Sequence, residues 1–517
     1  METKPETSVN YLEVKDTSVD VTDEKVDISK LTASEMYPDV DEKKLLRKMD
    51  LHIVPTLAVL YLLSFLDRGN IGNANIEGLS TDLNLIGNQY NLCLTIFFIS
   101  YCVFEVPSNA ILKVLRPSIW IPIIMVCWGV VMTLMGLVQG FTGLFVARFF
   151  LGMTEAGLFP GVAYYLTQWY RRGEIQFRQA MFFSAASIAG AFSGLLAFGI
   201  AKMDGLGNLE GWRWIFILEG IVTVIVAAAS FFLLYDYPET AKFLTERERL
   251  FVIHRLKYDH NSAKPSEADE ENARSHIFVP ENDDHGWKYF WAAFKDWQVF
   301  LHLILYYGIV VPLYGISLFL PTILSNLGYV SSKAQLMTVP IYITASIFSV
   351  VQAFFSDRVG MRSPFILLNL IFLLIGYSMA ISTDPAEKPG VIYAGVYIAA
   401  LGVYPAFPGI VSWLSNNLSG SYKRAIGMAI QIGIGNFGGA FASNIYHAKD
   451  KPRFILGHAV EIGFISLGII ALLALVASYR FVNNQREKGL REGKYDHLSI
   501  EELSQMGDKN PYFRYRY

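Results

Sequence analysis

Long apolar runs separated by short polar breaks dominate the chain from residue 50 onward. They fall at 50–66, 88–112, 119–139, 142–168, 178–202 and 213–235, then again at 297–322, 334–355, 364–382, 390–414, 423–446 and 456–481. Each is close to the ~20 residues a helix needs to cross the hydrocarbon core of a bilayer. The pattern predicts an all-α membrane protein with twelve transmembrane helices in two six-helix bundles. Residues 1–49 are polar and acidic and read as a disordered cytosolic N-terminal tail. Residues 50–237 form the first bundle and 297–482 the second. A charged linker, 238–296, joins them and carries Glu246, Arg247, Glu248 and Arg249, then Glu267, Asp269, Glu270 and Glu271. Residues 483–517 form a cytosolic C-terminal tail.

Composition sharpens this picture. The 517 residues are 53% hydrophobic and 17% charged, and the mean hydropathy is +0.34, too apolar for a soluble enzyme of this size. A net charge of −3 gives no electrostatic footprint for nucleic acid. Basic residues gather at the span ends on one side, at Lys43–Lys48, Lys113, Arg116, Arg171, Arg172, Arg178, Arg358, Arg362, Lys423 and Arg424. The other side has fewer, which places the first side, both tails and the linker in the cytosol. Cys93, Cys102 and Cys127 all lie inside apolar runs without metal-ligand spacing and read as packing residues.

The charges inside apolar runs carry the chemistry. The fourth run holds Arg148 and Glu155, seven residues apart, so they share one helix face roughly 10.5 Å apart along the axis. A charge at bilayer depth costs several kcal/mol unless it faces a polar interior. Structural ion pairs to other helices are one reading. The other is a fixed cation for an anionic solute beside a carboxyl group that takes up a proton; a guanidinium stays charged at any working pH, whereas a buried carboxyl titrates. Asp67 and Arg68 stand at the outer end of the first run, where a snorkelling arginine is ordinary helix-end chemistry. Glu105 and Glu219 are further intramembrane carboxylates, for which packing and coupling roles both stay open.

Other motifs resolve more simply. Gly433, Gly435 and Gly438 match a dinucleotide fingerprint but lie within an apolar helix with no preceding strand, so they read as sites of close helix approach. Tyr306, Tyr307 and Tyr314 offer hydroxyls and stacking faces in the seventh run, or packing alone, and His302 reads as a satisfied helix-end histidine. Asn417-Leu418-Ser419 is a glycosylation sequon on the cytosolic side, so it should be unused. No phosphate loop, zinc-protease motif or serine-nucleophile elbow is present, which points away from an enzyme and from ATP-driven pumping. No cofactor or metal is called for.

Several segments together resemble a known family. They are Leu66-Asp67-Arg68-Gly69-Asn70, Glu105-Val106-Pro107-Ser108-Asn109, Arg148 through Gly161, Gly211 through Gly220, Asn436 among its glycines, Ile445-Tyr446 and Asp450-Lys451-Pro452. Asp357-Arg358-Val359-Gly360-Met361-Arg362 resembles the signature of a cytoplasmic loop, with Met361 where a basic residue is usual and Ala353 where glycine is usual. Across nearly all twelve runs the sequence is similar to the fungal anion:cation symporters of the major facilitator superfamily, the allantoate and nicotinate permease group. The resemblance implies two bundles rocking about a midplane site. It assigns Asp67 to protonation and Arg68 to the substrate carboxylate, matches Arg148 and Glu155 to an Arg–Glu pair seven apart, and makes Asn436 a substrate hydrogen-bond candidate. Asp357, Arg358, Gly360 and Arg362 become conformational residues that latch the bundles by charge pairing. The missing Gly-Pro antiporter pattern between Ser184 and Gly199 favours symport.

The implied function is import of a small organic carboxylate such as nicotinate by proton symport, in the plasma membrane, by a monomer whose partners are the anion, protons and the bilayer. Allantoate, pantothenate, biotin or another carboxylate, or a non-transporting nutrient receptor, are the alternatives. A reporter fused after Tyr517, or an epitope inserted near Pro265, should be protected from external reagents in intact cells. External labelling of either overturns the six-plus-six topology.

Overall fold

The computed structural model describes residues 33–257, 291, 293–329, 331–419, 421–495, 497–498, 502–503 and 506–517. The expected tail up to residue 32 and linker residues 258–290 lie outside these. The described residues are helical and contain no strand. The first half comprises α1 (Glu42–Ile76), α2 (Gln89–Val114), α3 (Pro117–Met135), α4 (Phe141–Glu155), α5 (Leu158–Thr167), α6 (Arg172–Ile200) and α7 (Gly211–Leu233). Helix α8 (Glu246–Lys257) follows. The second half comprises α9 (Trp297–Asn326), α10 (Ser331–Val359), α11 (Ser363–Ser382), α12 (Pro389–Asn417), α13 (Ser421–Ser443) and α14 (Ile455–Arg491).

With α4 and α5 taken as one span, 11 segments among the described residues are long and apolar enough to cross a membrane. The remaining position is α13, whose 23 residues are long enough but include five glycines, Gln431 and Asn436. It packs against α2, α9 and α12, where Asn436 finds hydrogen-bond partners on α2 and α9.

Two boundaries differ from the sequence expectation. Helix α1 starts at Glu42, where the Asp41 side chain accepts hydrogen bonds from the Lys43 and Lys44 amides, so residues 42–49 are helix and not tail. The same helix runs on to Ile76, so Asp67 and Arg68 stand well inside it, 1% and 8% exposed, and Arg68 does not snorkel. Asp67, Arg68, Asn70 and Asn73 look like a polar span end in sequence, yet each turns into the protein and finds partners there. The fourth span breaks directly after Glu155. Pro160 has no N–H to give to the Ala156 carbonyl, and Gly157 lies against α2, where a Cβ would stand within 1.9 Å of Ser108 Oγ.

The duplication that is faint in sequence is plain in the packing. Across the halves, α1 meets α9, α2 meets α13 and α6 meets α10. Counting spans, these are 1 with 7, 2 with 11 and 5 with 8, three contacts that map onto one another when each span is exchanged for its counterpart six places away, while a lesser contact of α6 with α12, spans 5 and 10, departs from that symmetry. The seams are close. A Cβ on Gly72 of α1 would lie 2.6 Å from the Leu318 carbonyl oxygen of α9, and one on Gly194 of α6 would lie 2.6 Å from the Gln335 carbonyl oxygen of α10.

The two ends of the molecule are closed differently. At the end remote from the termini, polar bonds cross between the halves: Gln335 Nε2 donates to Glu77 Oε1 at 2.9 Å, Asn444 Nδ2 to Thr95 Oγ1 at 2.7 Å and Asn91 Nδ2 to the Tyr446 carbonyl at 3.2 Å. Towards the terminal end the closure is aromatic, with Phe183 stacked on Phe407 at 4.2 Å between centroids and Phe159 at 6.1 Å from Phe407. The ion pairs at that end join parts of one half: Arg178 to Asp50 at 2.7 Å, Lys48 to Glu248 of α8 at 2.7 Å, and Lys423 to Asp508 at 2.7 Å. The last residues of the chain lie on the second half, where the Arg516 carbonyl accepts from Trp413 Nε1 and from Asn417 Nδ2. Asn417 is fully buried by this, a physical reason for its sequon to stay unmodified.

Gly194→Ala should therefore strain the α6–α10 seam at a cost of about 1–3 kcal/mol, lowering the melting temperature of the purified protein by roughly 1–3 °C. Gly199→Ala, on the same helix with nothing within 4 Å of its Cβ position, should leave it unchanged. Equal melting of the two variants contradicts a tight seam at Gly194.

Candidate functional site

Helix α1 places Ser64 and Arg68 four residues apart on one face, and both reach Glu155 at the last turn of α4. Arg68 Nη2 lies 2.7 Å from Glu155 Oε1, with the two side chains 10% and 1% exposed. Ser64 Oγ donates to the same carboxylate oxygen in a close contact. The other guanidinium arm crosses the seam, where Arg68 Nη1 donates to Tyr314 Oη of α9 at 2.8 Å. Tyr314 in turn donates to Asn436 Oδ1 of α13 at 3.4 Å, and Asn436 Nδ2 donates to Glu105 Oε2 of α2 at 3.4 Å. A polar chain thus leaves the first half at Arg68, passes through two helices of the second half and returns at Glu105.

Aromatic rings enclose this chain. The Arg68 guanidinium carbon lies 5.0 Å from the Tyr101 ring centroid, 5.5 Å from Phe97 and 5.9 Å from Tyr314. Phe98 meets Tyr314 edge-on at 4.6 Å. A cation over aromatic faces keeps part of its electrostatic stabilisation when water is excluded. The glycines of α13 admit these rings. A Cβ on Gly435 would stand 2.2 Å from Tyr306, and one on Gly439 would stand 2.2 Å from Phe98. The glycine run serves close approach, as its setting in an apolar helix indicates.

The other expected site residues fall into three groups. Arg148 is 1% exposed, its Nε and Nη2 have no hydrogen-bond partner, and its guanidinium carbon is 5.8 Å from Phe97. It sits in the first half on the helix that carries Glu155, but Glu155 is paired with Arg68 instead. Asp67 turns the other way, accepting from Trp128 Nε1 at 2.8 Å and Thr223 Oγ1 at 3.0 Å, both of the first half. Tyr306 packs on Gly435 and lies 5.4 Å from Phe407, its buried hydroxyl without a hydrogen-bond partner. Asn436 stands on the seam as described. Glu219 accepts from Asn70 within the first half, and His302 is fully buried with Nε2 3.1 Å from Tyr479 Oη.

The loop between α10 and α11 is far from this chain. Gly360 takes a φ of 72° and ends α10. Arg362 pairs with Asp357 in close contact, donates to Ser356 Oγ at 2.6 Å and gives its backbone N–H to the Tyr517 carbonyl at 2.7 Å. These contacts stay within the second half. Arg358 is exposed, and among the described residues the contacts of Asp357 and Arg362 are with the second half.

Sequence reasoning offered the hydroxyls of Tyr306, Tyr307 and Tyr314 together without singling out Tyr314, the one that reaches Arg68. Tyr314 lies eight residues beyond Tyr306 on the same helix face, a spacing that was legible; its choice over Tyr306 depends on where Arg68 points. Ser64 had no signal beyond standing four residues before Arg68.

Two six-helix halves with a buried, charged site on the seam between them define a polytopic membrane transporter. The chain belongs to the major facilitator superfamily, whose family pattern it matches over residues 57–443. It is 35% identical over 492 residues to an uncharacterised transporter of Schizosaccharomyces pombe, covering 95% of this chain and 93% of the other. It is 33% identical over 476 residues to the high-affinity nicotinic acid transporter of Saccharomyces cerevisiae, covering 92% of this chain and 85% of that one. Among solved structures, a bacterial homologue of the human lysosomal transporter Spinster, inward-facing and occupied, superposes with a TM-score of 0.58 at 15% identity, covering 83% of this chain and 96% of that one. This last likeness is one of fold.

Removing Arg68 should leave Glu155 buried without its cation, a change worth about 3–5 kcal/mol. Arg68→Ala should therefore melt well below the parent protein, and adding Glu155→Gln should recover most of the loss. A double variant that melts no higher than Arg68→Ala contradicts the pairing.

Proposed function

We propose that this transporter imports a small organic monocarboxylate, nicotinate first among the candidates, by proton symport across the plasma membrane, with its terminal end facing the cytosol. The observation that carries this reading is the buried Arg68–Glu155 bridge, held on the seam by Tyr314 of the opposite half. Arg68 is a fixed cation whose planar donors match a carboxylate, and the carboxylate it now holds belongs to the protein. A proton taken up by Glu155 removes the charge that holds the guanidinium. A substrate carboxylate then replaces Glu155 on Arg68, and the site as a whole has gained one proton and one anion. Release towards the cytosol reverses both exchanges.

The energetics favour such coupling. Moving one negative charge inward against an inside-negative potential costs about 2.3 kcal/mol per 100 mV, which one accompanying proton cancels. Each unit of inward pH gradient then supplies about 1.4 kcal/mol. Arg148 adds a second buried positive charge to the first half, and Asp67, hydrogen-bonded to Trp128 and Thr223, is the other carboxylate available for the proton. The carboxylate class draws support from the arginine chemistry, and nicotinate from the relative of that name at 33% identity. The orientation rests on the basic span ends. The thin aromatic closure at the terminal end, against polar bonds at the other, fits a transporter close to opening inward.

Uptake of labelled nicotinate and competing carboxylates in cells lacking their own permeases tests the reading. Glu155→Gln should abolish accumulation driven by an imposed pH gradient while keeping counterflow of labelled against unlabelled substrate, which needs no net proton movement. Arg68→Lys should restore little of the transport lost in Arg68→Ala. Accumulation that still follows the pH gradient in Glu155→Gln moves the proton to Asp67, and loss of counterflow as well makes Glu155 a structural residue.

A further inference from the structure

The polar chain on the seam has two charged ends, and only Arg68 has been given work. We infer that Glu105 is a second recognition point of the same site, selecting carboxylates that carry an N–H donor at the end remote from the carboxyl group. The inference rests on the proposed carboxylate transport and deepens it.

Glu105 is 3% exposed and lies one helical turn beyond Tyr101, the ring nearest the Arg68 guanidinium. A carboxylate has about four acceptor positions. The side-chain donor that reaches this one is Asn436 Nδ2, at 3.4 Å, long for an N–H···O bond. Opposite it, α13 presents Gly433, where a Cβ would stand 3.8 Å from Glu105 Cδ and from both carboxylate oxygens. The acidic group therefore faces the other half across a residue without a side chain. A carboxylate kept only to tie α2 to α13 would be expected to take a short bond from its partner.

The chain between the two charges consists of one hydroxyl and one amide, Tyr314 and Asn436, flanked by Phe97, Phe98 and Tyr101. A flat ring with a carboxylate at one end and a donor at the other satisfies both charges and lies between aromatic faces. A ligand whose remote end is a second carboxylate meets repulsion at Glu105, and one whose remote end is a methyl group leaves the acid unpaired. Amines, amides, ureido groups and protonated ring nitrogens are the chemistry rewarded, since a hydrogen bond to a charged group is worth about tenfold to a hundredfold in affinity.

Calorimetric titration of the purified full chain with 3- and 4-aminobenzoate against 3- and 4-methylbenzoate isolates the donor, since amino and methyl groups are nearly equal in size. The amino acid should bind at least about tenfold tighter at one ring position. Glu105→Leu should level the pair by weakening only the amino ligand, and Glu105→Gln, which keeps the size and shape of the side chain, should narrow the gap in the same direction. Arg68→Ala should abolish binding of all four acids. Equal binding of amino and methyl ligands by the parent protein, or a preference that survives both Glu105 variants, overturns the role of Glu105 and leaves the carboxylate site standing if Arg68→Ala still abolishes binding. Failure of the parent protein to bind any of the four, or binding indifferent to Arg68→Ala, overturns the carboxylate reading and the role of Glu105 with it.

Discussion

A guanidinium buried at membrane depth is costly unless it meets negative charge or a polar interior, and Arg68 meets the Glu155 carboxylate. Lipid supplies no counter-ion and little water, so the protein must provide those partners itself. Glu155 takes that part while Ser64 and Tyr314 use remaining hydrogen-bonding capacity of the pair. The long α1 and the break after α4 both serve this contact: α1 must continue past Arg68 to keep it inside, and the chain yields immediately after Glu155. The proposed transport cycle uses that dependence, exchanging Glu155 for the carboxylate of a ligand as Glu155 is neutralised.

Because Tyr314 belongs to the other half, the state of Arg68 bears on how the halves meet. The seams are built from glycine contacts and a few hydrogen bonds, with no large charged interface in the described residues to lock them. At the remote end the crossing bonds are polar, and towards the terminal end Phe159, Phe183 and Phe407 form the closure. Stacked rings separate without leaving unpaired polar groups behind, whereas breaking Gln335–Glu77 or Asn444–Thr95 demands replacement by water.

Much of the architecture was legible because bilayer physics writes it in long apolar runs. The apolar runs recovered the helices of both halves, and the charges inside the runs marked Arg68, Arg148 and Glu155. Pairing was not legible. Seven-residue spacing on one helix suggested that Arg148 and Glu155 act together, while the structure joins Glu155 to Arg68 on a different helix, a contact that depends on helix packing. The end of the first span was misplaced for a related reason: Asp67, Arg68, Asn70 and Asn73 resemble a water-facing boundary unless their partners on other helices are known. In α13 two of the five glycines that lowered its apolar character, Gly435 and Gly439, proved to be what admits Tyr306 and Phe98.

The proposed handover of Arg68 from Glu155 to a substrate carboxylate has one direct signature, the proton count of binding itself. Calorimetric titration of the purified protein with a transported carboxylate, repeated in buffers of different ionisation enthalpy, measures protons taken up per ligand bound. At a pH where the free carboxylic acid is fully ionised, about one proton should enter with each anion, and none should enter in Glu155→Gln, which should still bind. Binding of the anion without proton uptake in the parent protein, or uptake that persists unchanged in Glu155→Gln, would contradict the handover.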